Sequence, residues 1–189
     1  MEASEQAQSI VNIVGEKVAL GPYRRDLLPT YTRWINDLEV TRTLSIHPGP
    51  YTAEQEEQWY ERASRTENTV DFTIYERSTM RPIGNTGFHN VDFFHRSAEF
   101  GILIGEKDCW GKGYGTEATI LVLRYGFQYL NLHSIMLHVH AYNERGIRAY
   151  RRAGFKEAGR LRECHALGGK MHDLLIMDCL SREFEGTGA

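Results

Sequence analysis

The sequence predicts a mixed α/β fold, a single domain in which helices flank one central, largely antiparallel sheet. Three observations carry this expectation. The chain has 189 residues, which suits one hydrophobic core. Its apolar pattern has helical spacing over residues 25–65, strict alternation over 69–105, and helical spacing again from 116. The three alternating segments are joined by turns of a few residues, as in an antiparallel meander.

The elements follow in order. Residues 1–12 are polar and are expected to fray, and 186–189 form a short tail, which leaves 13–185 as the domain. Lys17–Tyr23 reads as a first strand. Residues 25–39 follow as one helix, with Leu27, Tyr31, Trp34, Ile35 and Leu38 on one face. The prolines and glycine of Ile46–Thr52 make a loop, and Thr52 caps a second helix over 53–65. Thr69–Arg77, 82–93 and Ala98–Gly105 are the meander strands, the middle one loosened by Gly84 and Gly87. A helix runs from about Thr116 to Leu130, with Ala118, Leu121, Val122 and Tyr125 as its stripe. His133–Ala141 is a strand. Asn143 caps a short helix that Gly154 ends, and 155–164 and 171–180 are closing strands.

Composition excludes several classes. Hydrophobic residues make up 41% and charged residues 25%, with a net charge of −3, so nucleic acid is a poor partner. No apolar run approaches the roughly 20 residues that span a bilayer. The start MEASEQAQSIVNIVG lacks a basic segment followed by an apolar one, so it does not read as a signal peptide. Three widely spaced cysteines suggest reduced thiols and a cytoplasmic protein. Cys109 has no evident base partner and reads as an inert thiol. His138 and His140 share a strand face with His133 nearby. No carboxylate completes a ligand set at fitting spacing, so no metal is expected.

The stretch EKDCWGKGYGTEA (106–118) stands out because three glycines, Gly111, Gly113 and Gly115, precede a helix. A helix N-terminus presents unpaired N–H groups and partial positive charge, and glycines let an anion come close. The loop does not match G-x-x-x-x-G-K-[ST], because Gly111-Lys112 is followed by Gly113 and position 106 is Glu. A dinucleotide reading needs a third glycine where Thr116 or Ala118 stands, and it needs a first βαβ unit, whereas this strand comes from a meander. A kinase reading lacks its HRD and DFG partners.

Trp110–Gly115 resembles the pyrophosphate loop [QR]-x-x-G-x-[GA] of the GCN5-related N-acetyltransferases, with Trp110 in the Gln or Arg position. That replacement is similar to the branch of ribosomal-protein-alanine and spermidine N-acetyltransferases. NERGIRAYRRAGF (143–155) resembles the family's later N-x-x-[AS]-x-x-x-Y-x-x-x-G-F element, and the likeness covers about residues 15–185. It implies a sheet splayed between the fourth and fifth strands. It also implies acetyl transfer from acetyl-CoA to an amine acceptor: a protein N-terminus, a polyamine or another small amine. The alternative is a coenzyme-A-binding sensor without turnover. Many members pair as homodimers through their sheets.

The resemblance assigns roles as expectations. Backbone N–H groups from Trp110 through Gly111, Lys112, Gly113, Tyr114, Gly115 and Thr116 would hold the pyrophosphate. Phe100 and the run Ile102, Leu103, Ile104 would lie along the pantetheine arm, with a strand N–H at the oxyanion. Asn143 would bond the arm. Glu99 would take the amine's proton, with His89 and Asp92 as weaker candidates, and Tyr150 would protonate the leaving thiolate. Arg24, Arg25, Arg151 and Arg152 read as solvated or as contacts to the adenosine 3′-phosphate. Trp34, Trp59, Tyr51 and His47 fall in or near the first two helices, which wall the acceptor pocket in the family.

Overall fold

The computed structural model describes residues 10–46 and 49–186. A single eight-stranded sheet organises them, in the order β1-β2-β3-β4-β5-β6-β8-β7. The strands are β1 (Ile13–Val14), β2 (Val18–Pro22), β3 (Val70–Glu76), β4 (Arg81–Asp92), β5 (Ser97–Ile104), β6 (Ser134–His140), β7 (Lys156–Leu167) and β8 (Lys170–Leu180). All neighbours pair antiparallel except β5 and β6. The expected meander is β3-β4-β5. The expected fourth and fifth strands are β5 and β6, because the two-residue β1 adds a strand ahead of them.

The helices are α1 (Leu28–Ile35), α2 (Leu38–Thr41), α3 (Ala53–Ala63), α4 (Tyr114–Gln128) and α5 (Glu144–Ala153). Neighbouring residues of β3 show how they distribute. Phe72 meets Tyr125 of α4 edge-on at 5.4 Å, whereas the Thr73 hydroxyl lies 2.6 Å from that of Tyr31 on α1. Successive strand side chains point to opposite faces, so α4 covers one face and α1 the other. Phe100 on β5 meets Tyr150 on α5 at 6.3 Å, which puts α5 beside α4. The stripe read from sequence is the packed one: Ala118, Leu121 and Val122 are all buried among Ile83, Phe88, Phe100 and Leu137.

The region predicted as one helix over 25–39 is three pieces. A 3₁₀ turn at Arg25–Leu27 leads into α1, and a break at Asn36–Asp37 separates α1 from α2. Apolar spacing sees no break, but side-chain chemistry makes one. The Asp37 carboxylate accepts the N–H groups of Glu39 and Val40 and so starts a new helix. Asn36 bonds both backbone groups of Tyr51, tying this corner to the loop before α3. The cap predicted at Thr52 is present, with Gln55 completing a reciprocal capping box.

Pairing between β5 and β6 sets the site. It joins only Ser97, Ala98 and Glu99 to Ser134, Ile135 and Met136. Beyond Glu99 the strands part, while β5 stays paired to β4 as far as Ile104. The run 100–104 therefore has a partner strand on one side only, and this is the expected splay.

Candidate active site

The loop between β5 and α4 is built to leave its amides free. Cys109 and Trp110 close a 3₁₀ turn by donating to Glu106 and Lys107, so the Trp110 N–H is already used. Among the described residues, the amides of 111–116 donate to no other backbone group and no side chain caps α4. The first intrahelical bond runs from Glu117 N–H to the Gly113 carbonyl. Gly111 and Gly113 have φ of +76° and +89°, in the left-handed region, which turns consecutive amides toward one side. The helix starts at Tyr114 rather than near Thr116, so Tyr114, Gly115 and Thr116 form its open first turn.

Side chains lock this loop. The Trp110 indole donates to the Ile104 carbonyl at 2.8 Å, closing the end of the unpaired β5 run. The Arg145 guanidinium lies 3.9 Å from the centre of the same ring, where its positive charge meets the negative ring face. Glu117, an acid in a first turn that should welcome anions, is turned away. Its carboxylate accepts the Lys17 N–H at 2.9 Å in the β1–β2 turn. The Lys17 ammonium reaches back to the Lys112 carbonyl at 3.3 Å. Tyr114 likewise points out, donating to Glu76 at 2.7 Å.

A cleft of about 300 Å³ runs from this loop along β5 and under α5. It brings together Ile102, Leu103, Ile104, Trp110, Gly111, Gly113, Tyr114, Gly115, Thr116, Asn143 and Tyr150 from the sequence reading. Val40 and Thr43 close it from the α2 side, and Arg145, Arg148 and Arg152 give its α5 wall a positive rim. Lys112 and Glu99 are not on its wall. The Asn143 carboxamide oxygen accepts Gly146 N–H at 2.9 Å and so caps α5. Its amide nitrogen takes no bond among the described residues.

Tyr150 packs edge-on between Phe100 and Phe155. Burial pushes its hydroxyl up to about 12, so it holds its proton throughout the physiological range. That hydroxyl has no hydrogen-bond partner among the described residues. The thiol of Cys109 is buried and pushed upward by that burial, beside the Arg81 guanidinium at 3.1 Å. This is the environment of an inert cysteine.

The opposite face of the sheet carries other groups. Glu99 accepts from the His138 ring at 2.8 Å and from the Asn90 carboxamide at 3.2 Å. The His89 ring lies over Gly101, where an added Cβ would sit 3.2 Å from its Nε2. Asp92 is withdrawn, bonded to His95 in the β4–β5 turn. Farther across, Glu56 on α3 is 9% exposed and its carboxylate has no partner among the described residues. Burial raises both Glu56 and Asp71, with His89 opposing the rise at Asp71. Trp34 is buried, with its indole donating to Glu106, and Trp59 packs at a tilt against Tyr23. Arg24 and Arg25 pair with Asp26, Glu57 and Glu61, and Arg151 pairs with Glu157, so none of these faces the cleft. His47 lies outside the described residues. His140, read from sequence as sharing a strand face with His138, is buried against Tyr142 and His165. Among the described residues no three His, Cys, Asp or Glu side chains converge as a metal site, and no helix is long and apolar enough to cross a membrane.

Residues 17–156 match the family model described as Acetyltransferase (GNAT) domain. The chain belongs to the GNAT acetyltransferase family. It is an N-acetyltransferase that uses acetyl-CoA. Among its relatives, an uncharacterized N-acetyltransferase p20 of Bacillus licheniformis is 30% identical over 153 residues, 80% of this chain and 85% of that protein. A spermidine N(1)-acetyltransferase of Vibrio cholerae is 30% identical over 155 residues, 80% of this chain and 88% of that protein. The crystal structure of spermidine N-acetyltransferase from Vibrio cholerae with CoA and spermine superposes with a TM-score of 0.82 at 26% identity, covering 88% of this chain and 97% of that one. The GNAT fold thus accounts for the splay and the open amides together.

The residues that sequence reasoning missed were Lys17, Arg145, Arg148 and the pairing of His138 with Glu99. Arg145 and Arg148 had a signal, since they share a helix with Tyr150. Lys17 and His138 had none, because their partners lie 95 and 39 positions away.

Proposed function

We propose that the chain acetylates a primary amine on a small cationic acceptor of the polyamine class, by direct attack on acetyl-CoA in a ternary complex. One observation carries the reading: a single cleft has free amides at one end, an unpartnered, protonated tyrosine hydroxyl at the other, and the one-sided run of β5 between them. The diphosphate would sit over the amides of residues 111–116, with Lys17 and Lys112 adding charge from outside. The arm would follow Ile102–Ile104, within reach of the Asn143 amide. Arg148 and Arg152 suit the 3′-phosphate. Tyr150, protonated by virtue of its burial, would supply the thiolate's proton.

The acceptor side supports a cation. Glu56 and Asp71 are carboxyls held toward the neutral form by burial, which His89 partly opposes at Asp71, and an arriving ammonium would draw both toward charge. The relatives named for spermidine agree with this.

The test measures thiol release from acetyl-CoA with spermidine, an N-terminal tripeptide and an amino sugar. Faster release with spermidine supports the proposal. Release with the tripeptide alone would move the acceptor to a protein N-terminus. Thermal stabilisation by acetyl-CoA without release on any amine would make the chain a coenzyme sensor and end the proposal.

A further inference from the structure

We infer that His138 is the group that takes the amine's proton, and that Glu99 and Asn90 position it. The inference rests on the acetyl-transfer reading above and assigns the base within it.

Strand alternation and the splay locate the pair. Glu99 is the last β5 residue paired to β6, opposite Met136, and His138 is two positions farther along β6. Both therefore stand where the strands part. Phe100 and Leu137, their neighbours in sequence, are buried on the α4/α5 face, and Phe100 is the ring that meets Tyr150. Glu99 and His138 consequently project from the other face. Tyr150 and this pair thus stand on opposite faces of the sheet at the place where β5 and β6 part, as a leaving group and an incoming nucleophile require.

Hydrogen bonding decides which member of the pair is the base. A carboxylate only accepts, so Nδ1 of His138, 2.8 Å from Glu99 Oε1, carries the hydrogen. In the neutral ring Nε2 is then the acceptor. The other Glu99 oxygen is held by the Asn90 carboxamide at 3.2 Å, so both oxygens are engaged while Nε2 has no partner among the described residues. The pair is accessible, with side chains 31% and 32% exposed. Asn90 reaches Glu99 because β4 breaks register between His89 and Asp92, and Asn90 adopts φ +51°. A left-handed residue at a bulge is strained and is found where a side chain must be re-aimed. Other titratable groups on this face include Asp71 on β3, His89 on β4, His140 on β6 and Asp178, which pairs with Met136 from β8.

The proton count closes. The acceptor ammonium gives one proton to Nε2 and thence to water, and the amine nitrogen bonds the acetyl carbon. The C–S bond breaks as Tyr150 protonates the sulfur. The second proton, shed by the tetrahedral nitrogen, restores the tyrosine.

The experiment compares pH profiles of kcat, at saturating acetyl-CoA and spermidine, for wild type, His138→Gln, Glu99→Gln and His89→Gln. Acetyl-CoA binding is followed by thermal shift to show that each variant folds. His138→Gln is expected to lose on the order of 100-fold in kcat, to lose the acidic limb of the profile, and to regain turnover with added imidazole. Glu99→Gln is expected to keep the acidic limb with a lowered kcat that Glu99→Asp partly restores, since the ring loses the carboxylate that orients it. His89→Gln should keep the wild-type limb. A His138→Gln enzyme with the wild-type limb, or loss of the limb in His89→Gln instead, overturns the inference. Wild type that binds acetyl-CoA but releases no thiol on any amine removes the acetyl-transfer reading and this inference together.

Discussion

Replacing Trp110 tests how the loop is locked. Its indole makes one hydrogen bond to the Ile104 carbonyl and carries the Arg145 guanidinium on its face. The first contributes about 1 kcal/mol net. The second contributes about 0.5–1 kcal/mol at an exposed site and about 2 when desolvated. Arg145 lies toward the desolvated end, because burial lowers its pKa despite the attraction of Glu39. Trp110→Leu should therefore cost about 2–3 kcal/mol, or on the order of 4–12 °C in Tm for a domain of this size. Part of that belongs to the pair. Urea unfolding of wild type, Trp110→Leu, Arg145→Met and the double variant should give a double-mutant cost about 1 kcal/mol below the sum of the singles. Additivity within about 0.5 kcal/mol would show that Arg145 does not use the ring, and the account of the lock would be wrong.

Further outcomes can be measured. Tyr150→Phe should lower kcat about 100-fold while leaving acetyl-CoA affinity nearly unchanged. Because the hydroxyl is pushed up to about 12, wild-type kcat should show no falling limb from it below pH 10; equal turnover in the two proteins would remove Tyr150 from the reaction. Gly111→Ala meets no atom within 4 Å but must adopt φ +76°, so it should lower stability by about 1–2 kcal/mol through strain alone, and an unchanged melting temperature would contradict the loop geometry. Glu56 has a carboxyl raised by burial, so whatever stability it contributes is fully present below its unfolded pKa and is lost as pH rises through the folded value. Glu56→Gln should accordingly be more stable than wild type at pH 8 and little different at pH 4, with a raised KM for spermidine. A urea-midpoint difference independent of pH would refute that assignment.

Much of the fold could be read locally. The α4 stripe, the meander, the Thr52 and Asn143 caps and the glycine loop are all decided by residues within a turn or two of one another. What escaped was decided at long range or by competition. The Asn36–Asp37 break was hidden because apolar spacing continues through it while a carboxylate bonds the next amides. The hairpin after α5 could be foreseen, but not that β8 would sit inside and β7 outside, since both segments alternate. Glu99 was visible as a carboxylate near the splay. Its capture by His138 and Asn90 was not, because three strands and a bulge must assemble before those side chains meet.

From Phe100 to Ile104 the protein carries, in its interior, what other sheets show only at their margins: a strand with a neighbour on one side and none on the other. Such a margin is ordinarily a hazard, because any extended chain can add to it. Here α5 and the segment around Val40 and Thr43 wall the gap, so it is an enclosed cleft rather than an open edge. A slender chain carrying its own amides can take the vacant place as a surrogate strand. The selectivity of this enclosure therefore begins with thickness and peptide-like character, before any individual side chain is consulted.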